Sequence, residues 1–112
     1  MKTADNCLFS VLAEIADERR RQVAEEGWTP QHDDDEHGSD DLARAAACYA
    51  LPDYLRDQVI RGQYGSKKLW RWLWPFTEDW WKPKDRRREL VQAGALIVAE
   101  IERIDRATER AA

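Results

Sequence analysis

Two stretches without proline, residues 6–26 and 86–109, repeat their apolar residues at helical spacing, and all four prolines lie between them. In the first, Leu8, Leu12, Ile15, Arg19 and Val23 recur three or four residues apart, with Phe9 and Ala16 widening the stripe. In the second the stripe is Leu90, Gly94, Ile97, Ile101 and Ile104, flanked by Ala93 and Val98. Gly27 stands where a helix C′ residue stands, and Asp85 stands at an N-cap. Two long amphipathic helices therefore frame whatever else the chain builds.

The intervening segment predicts shorter elements. Ser39 is placed to cap a helix over 40–51 whose apolar face is Leu42, Ala43, Ala46, Ala47, Tyr49 and Ala50. A helix so rich in Ala approaches a neighbour closely, so it is expected to be buried between the two long helices. Gly94, costing about 1 kcal/mol against Ala in mid-helix, is expected at that crossing. Pro52 restarts the chain, and 53–61 is expected to form a short third helix. Gly62 and Gly65 bracket a turn. Residues 28–38 read as a polar loop because of Pro30 and Gly38. Residues 66–83 read as irregular or briefly helical, and they hold five of the six Trp. No segment sustains period-2 alternation. The expectation is a compact, single, all-α domain over 1–112: two long helices clasp shorter ones, and the irregular Trp-rich segment closes one end.

A net charge of −4 argues against general nucleic-acid binding, but the charge is polarised. Residues 17–41 carry ten carboxylates against three Arg, and residues 61–88 carry nine Lys or Arg against three carboxylates. The start of the chain lacks a leader's apolar core, and no apolar run is long enough to span a bilayer. A cytoplasmic location without membrane association is the expectation. Cys7 and Cys48 are isolated thiols, each expected to fill a small core site.

The chemistry gathers at residues 80–88, where Trp80 and Trp81 stand beside Lys82, Lys84, Arg86, Arg87 and Arg88 at a helix start. Flat aromatic faces, cations and free backbone N–H groups suit a nucleotide-like ligand. Cations at a helix N-terminus oppose the macrodipole. The three Arg therefore answer either to the acidic loop at 32–37 or to an anionic ligand. That loop, with His32, Asp33 and His37, matches no strong metal motif, so no metal and no cofactor are expected. Trp28 is expected to fold back onto the first helix and to wall a pocket. Trp70, Trp72 and Trp74 are expected to pack against the helices, and Trp80 and Trp81 to face opposite ways. Two carboxylate pairs, Glu14 with Asp17 and Glu102 with Asp105, have the i, i+3 spacing that all-α nucleotide pyrophosphatases use to hold magnesium. They sit beside the apolar stripes rather than in them and are expected to face water, so no catalytic residue is assigned.

The segments Gly27-Trp28-Thr29-Pro30, His32-Asp33-Asp34 and Trp81-Lys82-Pro83, together with Ala93-Gly94-Ala95-Leu96-Ile97, resemble a family of small phage and prophage proteins, mostly without an assigned function. The resemblance implies a phage setting, with the host cytoplasm as location. A weaker likeness is to the ryanodine-receptor repeat. It rests on Glu18-Arg19, Gly27-Trp28, Asp33 or Asp34, His37, Tyr49, and Lys82 with Asp85-Arg86. The insert at 66–81 lies outside that repeat's pattern. This likeness implies a compact helical ligand-binding module rather than a catalyst.

Together these observations predict a protein that binds a small nucleotide, of the cyclic or ADP-ribose type used in bacterial immune signalling, without hydrolysing it. Trp28, Tyr49 and Trp80 or Trp81 are expected to wall a base, and Lys82, Lys84, Arg86, Arg87 and Arg88 to hold phosphates. His32, Asp33 and His37 are expected to bond ribose hydroxyls or base edges. Such a site buries best between subunits, so a homo-oligomer is expected. The alternatives are a metal-dependent nucleotide hydrolase and a protein-binding inhibitor of a host factor.

Overall fold

The computed structural model describes residues 3–36, 38 and 40–112; the expected cap Ser39 and the candidate ligand residue His37 lie outside the described residues. The fold is mainly helical, with α1 (Ala4–Glu26), α2 (Pro30–Glu36), α3 (Asp41–Ala50), α4 (Asp53–Arg56), α5 (Leu69–Leu73) and α6 (Arg86–Ala111). A hairpin of β1 (Val59–Gly62) and β2 (Gly65–Lys68) precedes α5, and a 3-10 turn spans Glu78–Trp80. The hairpin corrects the expectation of a purely helical chain.

Helix ends follow side-chain chemistry. Thr3 caps α1 by accepting from Asn6 N, and Gly27 closes it in the left-handed region at φ 72°. Asp85 caps α6 by accepting from Arg88 N at 3.0 Å. Residues 28–38 are not simply a loop. Pro30 opens α2 at the one helical position where its missing N–H costs nothing, and Thr29 Oγ1 accepts from His32 N at 3.2 Å.

α6 is the central element and touches α1, α2 and α3. Leu42, Ala45, Ala46, Cys48 and Tyr49 of α3 share one core with Ala93, Leu96 and Ala99 of α6, and Trp28 and Trp74 complete it. Ala43, expected on that face, is exposed. α3 is thus not clasped between two long helices. The neighbour at Gly94 is Ile15 of α1: a Cβ at Gly94 would lie 3.0 Å from Ile15 Cδ1. Burial pushes the Cys48 thiol up to about 12, which keeps it protonated and inert. Cys7 is exposed on α1 and fills no core site.

Acidic α2 is fastened by Arg. The Asp33 carboxylate, fully buried, accepts from Arg19 at 2.9 Å. Asp34 accepts from Arg106 at 3.0 Å and from Arg110 at 3.0 Å. Hydrogen bonding to Arg106, with Arg110 adding, holds the Asp34 carboxyl below its ordinary 3.8, against an opposing push from desolvation. A depressed folded value stabilises the fold at pH above 3.8, and this contribution fades as pH falls through the folded value. The gap in urea midpoint between wild type and Asp34→Asn is therefore expected to narrow as pH falls from about 6 to about 3. A gap that stays constant would contradict the pairing.

The helix expected over 53–61 stops at Arg56, and Val59-Ile60 enters β1 instead. All eight hairpin residues are exposed, so no apolar alternation marks them. What holds the hairpin is Trp72, whose Nε1 donates to Ile60 O at 2.9 Å, with Lys67 Nζ 4.0 Å from its ring centroid. The ring lies flat on Gly62: a Cβ there would be 2.3 Å from Trp72 Cη2. Gly62→Ala is expected to displace the ring and cost about 1–3 kcal/mol by overpacking, read by urea unfolding. No change would show that the ring is not seated there.

Candidate functional site

The segment after the 3-10 turn begins and ends in extended backbone, at Trp81 and at Asp85. Trp81 turns inward: it stacks on Trp70 at 5.1 Å and 13°, and meets Tyr49 at 5.0 Å and Trp74 at 5.1 Å. Trp80, Lys82 and Lys84 turn the other way, toward a cavity of about 310 Å³. Its walls are the last turns of α1 (Glu18, Arg21, Gln22, Glu26) and the first turns of α6 (Arg88, Gln92, Leu96). The i, i+4 spacing puts Glu18, Gln22 and Glu26 on one side of α1, and Arg88, Gln92 and Leu96 on one side of α6. Trp28 and Tyr49 complete it.

Four cations (Arg21, Lys82, Lys84, Arg88) face two carboxylates (Glu18, Glu26) here. Glu18, whose side chain is wholly buried, accepts from Arg21 Nε at 2.7 Å and also from Arg88. Arg21 is paired further with Glu25 at 3.1 Å and Glu26 at 3.0 Å, so the guanidiniums are held by carboxylates and the uncompensated charge of the cavity is that of Lys82 and Lys84. Hydrogen bonding to Glu18 also pushes the Arg21 pKa up, so its charge is fixed. Lys82 Nζ sits 5.4 Å from the Trp80 ring centroid. No ion pair among the described residues engages the Lys82 or Lys84 ammonium. The Oε1 atoms of Gln22 and Gln92 are buried and have no hydrogen-bond partner among the described residues. A buried unpaired acceptor costs about 1–3 kcal/mol, and both glutamines belong to the cavity wall. Tyr49 Oη accepts from Lys82 N at 3.4 Å. Burial pushes the Tyr49 hydroxyl up to about 12, so it keeps its proton as a donor at neutral pH.

A second, wider cleft of about 440 Å³ adjoins the first and shares Glu26, Trp28 and Trp80 with it. Its other walls are His32, Glu36, Asp41 and the 75–77 turn with Phe76. The groove is therefore bipolar: cationic within, acidic and aromatic at its mouth. Trp80, 43% exposed, stands between the two.

Trp28, Tyr49, Trp80, Lys82, Lys84 and Arg88 meet in the inner cavity, and His32 lines the outer cleft. Four other candidates stand elsewhere. Asp33 is buried on Arg19, and Trp81 belongs to the aromatic core. Arg86 donates to the carbonyls of Tyr49, Ala50 and Leu51, capping the C-terminus of α3. Arg87 is paired with Glu14 on α1 at 2.6 Å. Three consecutive Arg on a helix point about 100° apart, which sends them to three different destinations. Among the described residues no ion pair joins the acidic segment to this basic run; Asp33 and Asp34 are held by Arg19, Arg106 and Arg110. Glu18, Arg21, Gln22 and Gln92 are site residues that the sequence does not assign to ligand binding. Their signal was the presence of polar residues at helix positions turned toward the core.

Of the carboxylate pairs, Glu14 is engaged by Arg87, Asp17 by Arg20 and Glu102 by Arg19. Among the described residues no three His, Cys, Asp or Glu gather as metal ligands, and no helix is long and apolar enough to cross a membrane. Comparison with protein-family models, with curated proteins and with solved structures returns no match.

Proposed function

We propose that this protein captures a small nucleotide in the bipolar groove and holds it without hydrolysis. The supporting observation is the inner cavity, where surplus cations and two unpartnered glutamine acceptors lie beside aromatic walls. Phosphates occupy the inner end, where Arg88 and Arg21 are held in place by Glu18 and two lysines add charge. Gln22 and Gln92 accept from ligand hydroxyl or amino groups. Trp80 and Trp28 wall the base, and the carboxylates of the outer cleft accept from ribose hydroxyls or an exocyclic amine. The combined volume lies in the range of small-molecule sites. The resemblance to small phage proteins supports a phage setting, in which such capture would serve as a sponge for a cyclic or ADP-ribose-type immune messenger. The likeness to the ryanodine-receptor repeat points to the same helical ligand-binding role.

The test is capture followed by release. Purified protein is incubated with a panel of cyclic and linear nucleotides, washed, heated, and the released material chromatographed. Recovery of unaltered nucleotide supports capture. Recovery of a cleaved product favours a hydrolase, and recovery of none from any member of the panel rejects the reading.

A further inference from the structure

α6 is apolar on two opposite sides. One carries Ala95, Leu96 and Ala99, all buried in the domain. The other carries Leu90, Ile97, Ile101 and Ile104, spaced by seven, four and three, with Val98 alongside; these five are 37–54% exposed. Gly94 falls in the same repeat, and there Ile15 of α1 packs. On α1 the line through Ile15 continues to Leu12 and Leu8, with Phe9 and Val11 beside them, 43–64% exposed. The two stripes meet at one crossing and run out from it uncovered. A helix apolar on opposite sides is normally buried on both.

The nine side chains, 37–64% exposed, open an apolar face on the scale of one partner's share of a standard-sized interface, larger than a monomer ordinarily exposes in one patch. Both stripes have the three–four spacing by which helices interlock at about 20°. Within one chain these nine side chains stay uncovered. Across a twofold axis each stripe finds the other, and every contact occurs twice.

We propose that a second copy of this chain covers this face, pairing the α1 and α6 stripes of two protomers in a four-helix arrangement. The inference rests on the exposed stripes alone and is independent of what the groove binds.

Sedimentation equilibrium at tens of micromolar is the test. Wild type is expected at twice the 13.1 kDa chain mass. Leu12→Asp on α1 and Ile101→Asp on α6 are each expected to give the single-chain mass with helical circular dichroism retained, since both positions are exposed. If one variant fails to fold, the other, on a different helix, still decides. A wild-type monomer overturns the proposal and leaves the face to a different partner. A larger species that both variants leave intact also overturns it.

Discussion

Asp33→Ala is expected to remove about 3–5 kcal/mol of stability, the usual cost of deleting one partner of a buried ion pair. Arg19, 7% exposed, donates from all three of its nitrogens: to Asp33 at 2.9 Å, to Trp28 O at 3.0 Å and to Glu102 at 3.0 Å. Without Asp33 its charge remains buried with only the half-exposed Glu102 opposite. Domains of this size are stable by about 5–15 kcal/mol, so most of the margin is at stake. The same guanidinium holds the Trp28 carbonyl, so the variant is expected to loosen the wall shared by both clefts. Urea unfolding checks the magnitude. The paired change Arg19→Met with Asp33→Leu is expected to cost far less, because no charge is stranded. A loss under about 1 kcal/mol for Asp33→Ala would mean that the pair is not buried in solution.

How much of this was legible in the residues depended on the range of the interaction. α1 and α6 follow from local period, and the Asp85 cap and Gly27 terminator follow from side-chain chemistry. α2 was missed because Pro30 reads as a breaker unless Thr29 before it is recognised as a cap. The hairpin was missed because it is wholly exposed, so it has no hydrophobic pattern to detect. The stripes on α1 and α6 lie on one side of each helix as their period requires, but Leu8, Leu12, Leu90, Ile97, Ile101 and Ile104 are exposed. The core side of α6 carries Val91, Leu96 and three Ala, and periodicity alone does not say which of two apolar faces is covered.

The site divides the same way. Trp80, at the end of the 3-10 turn, and Lys82 and Lys84, just after it, all line one cavity, so their adjacency in sequence survives in space. Arg86, Arg87 and Arg88 are neighbours on a helix, and theirs does not. Gln22 and Gln92 are seventy residues apart and meet only because α1 and α6 cross.

The second large effect concerns the ligand, and thermal denaturation with and without a nucleotide panel measures it most directly. A nucleotide of the right class at 100-fold excess over Kd is expected to stabilise wild type by about 2.7 kcal/mol, a rise of about 10 °C in Tm for a chain of this length. Lys82→Ala with Lys84→Ala removes two cations that serve no ion pair among the described residues, so the unliganded Tm is expected to stay put. Charged hydrogen bonds contribute about 1.5–3 kcal/mol each, so the double variant is expected to bind at least 100-fold more weakly and to lose the shift. Arg87→Ala, whose partner is Glu14, is expected to keep it. A ligand shift that survives Lys82→Ala with Lys84→Ala but disappears in Arg87→Ala, or no shift with any nucleotide, would contradict the assignment of this groove.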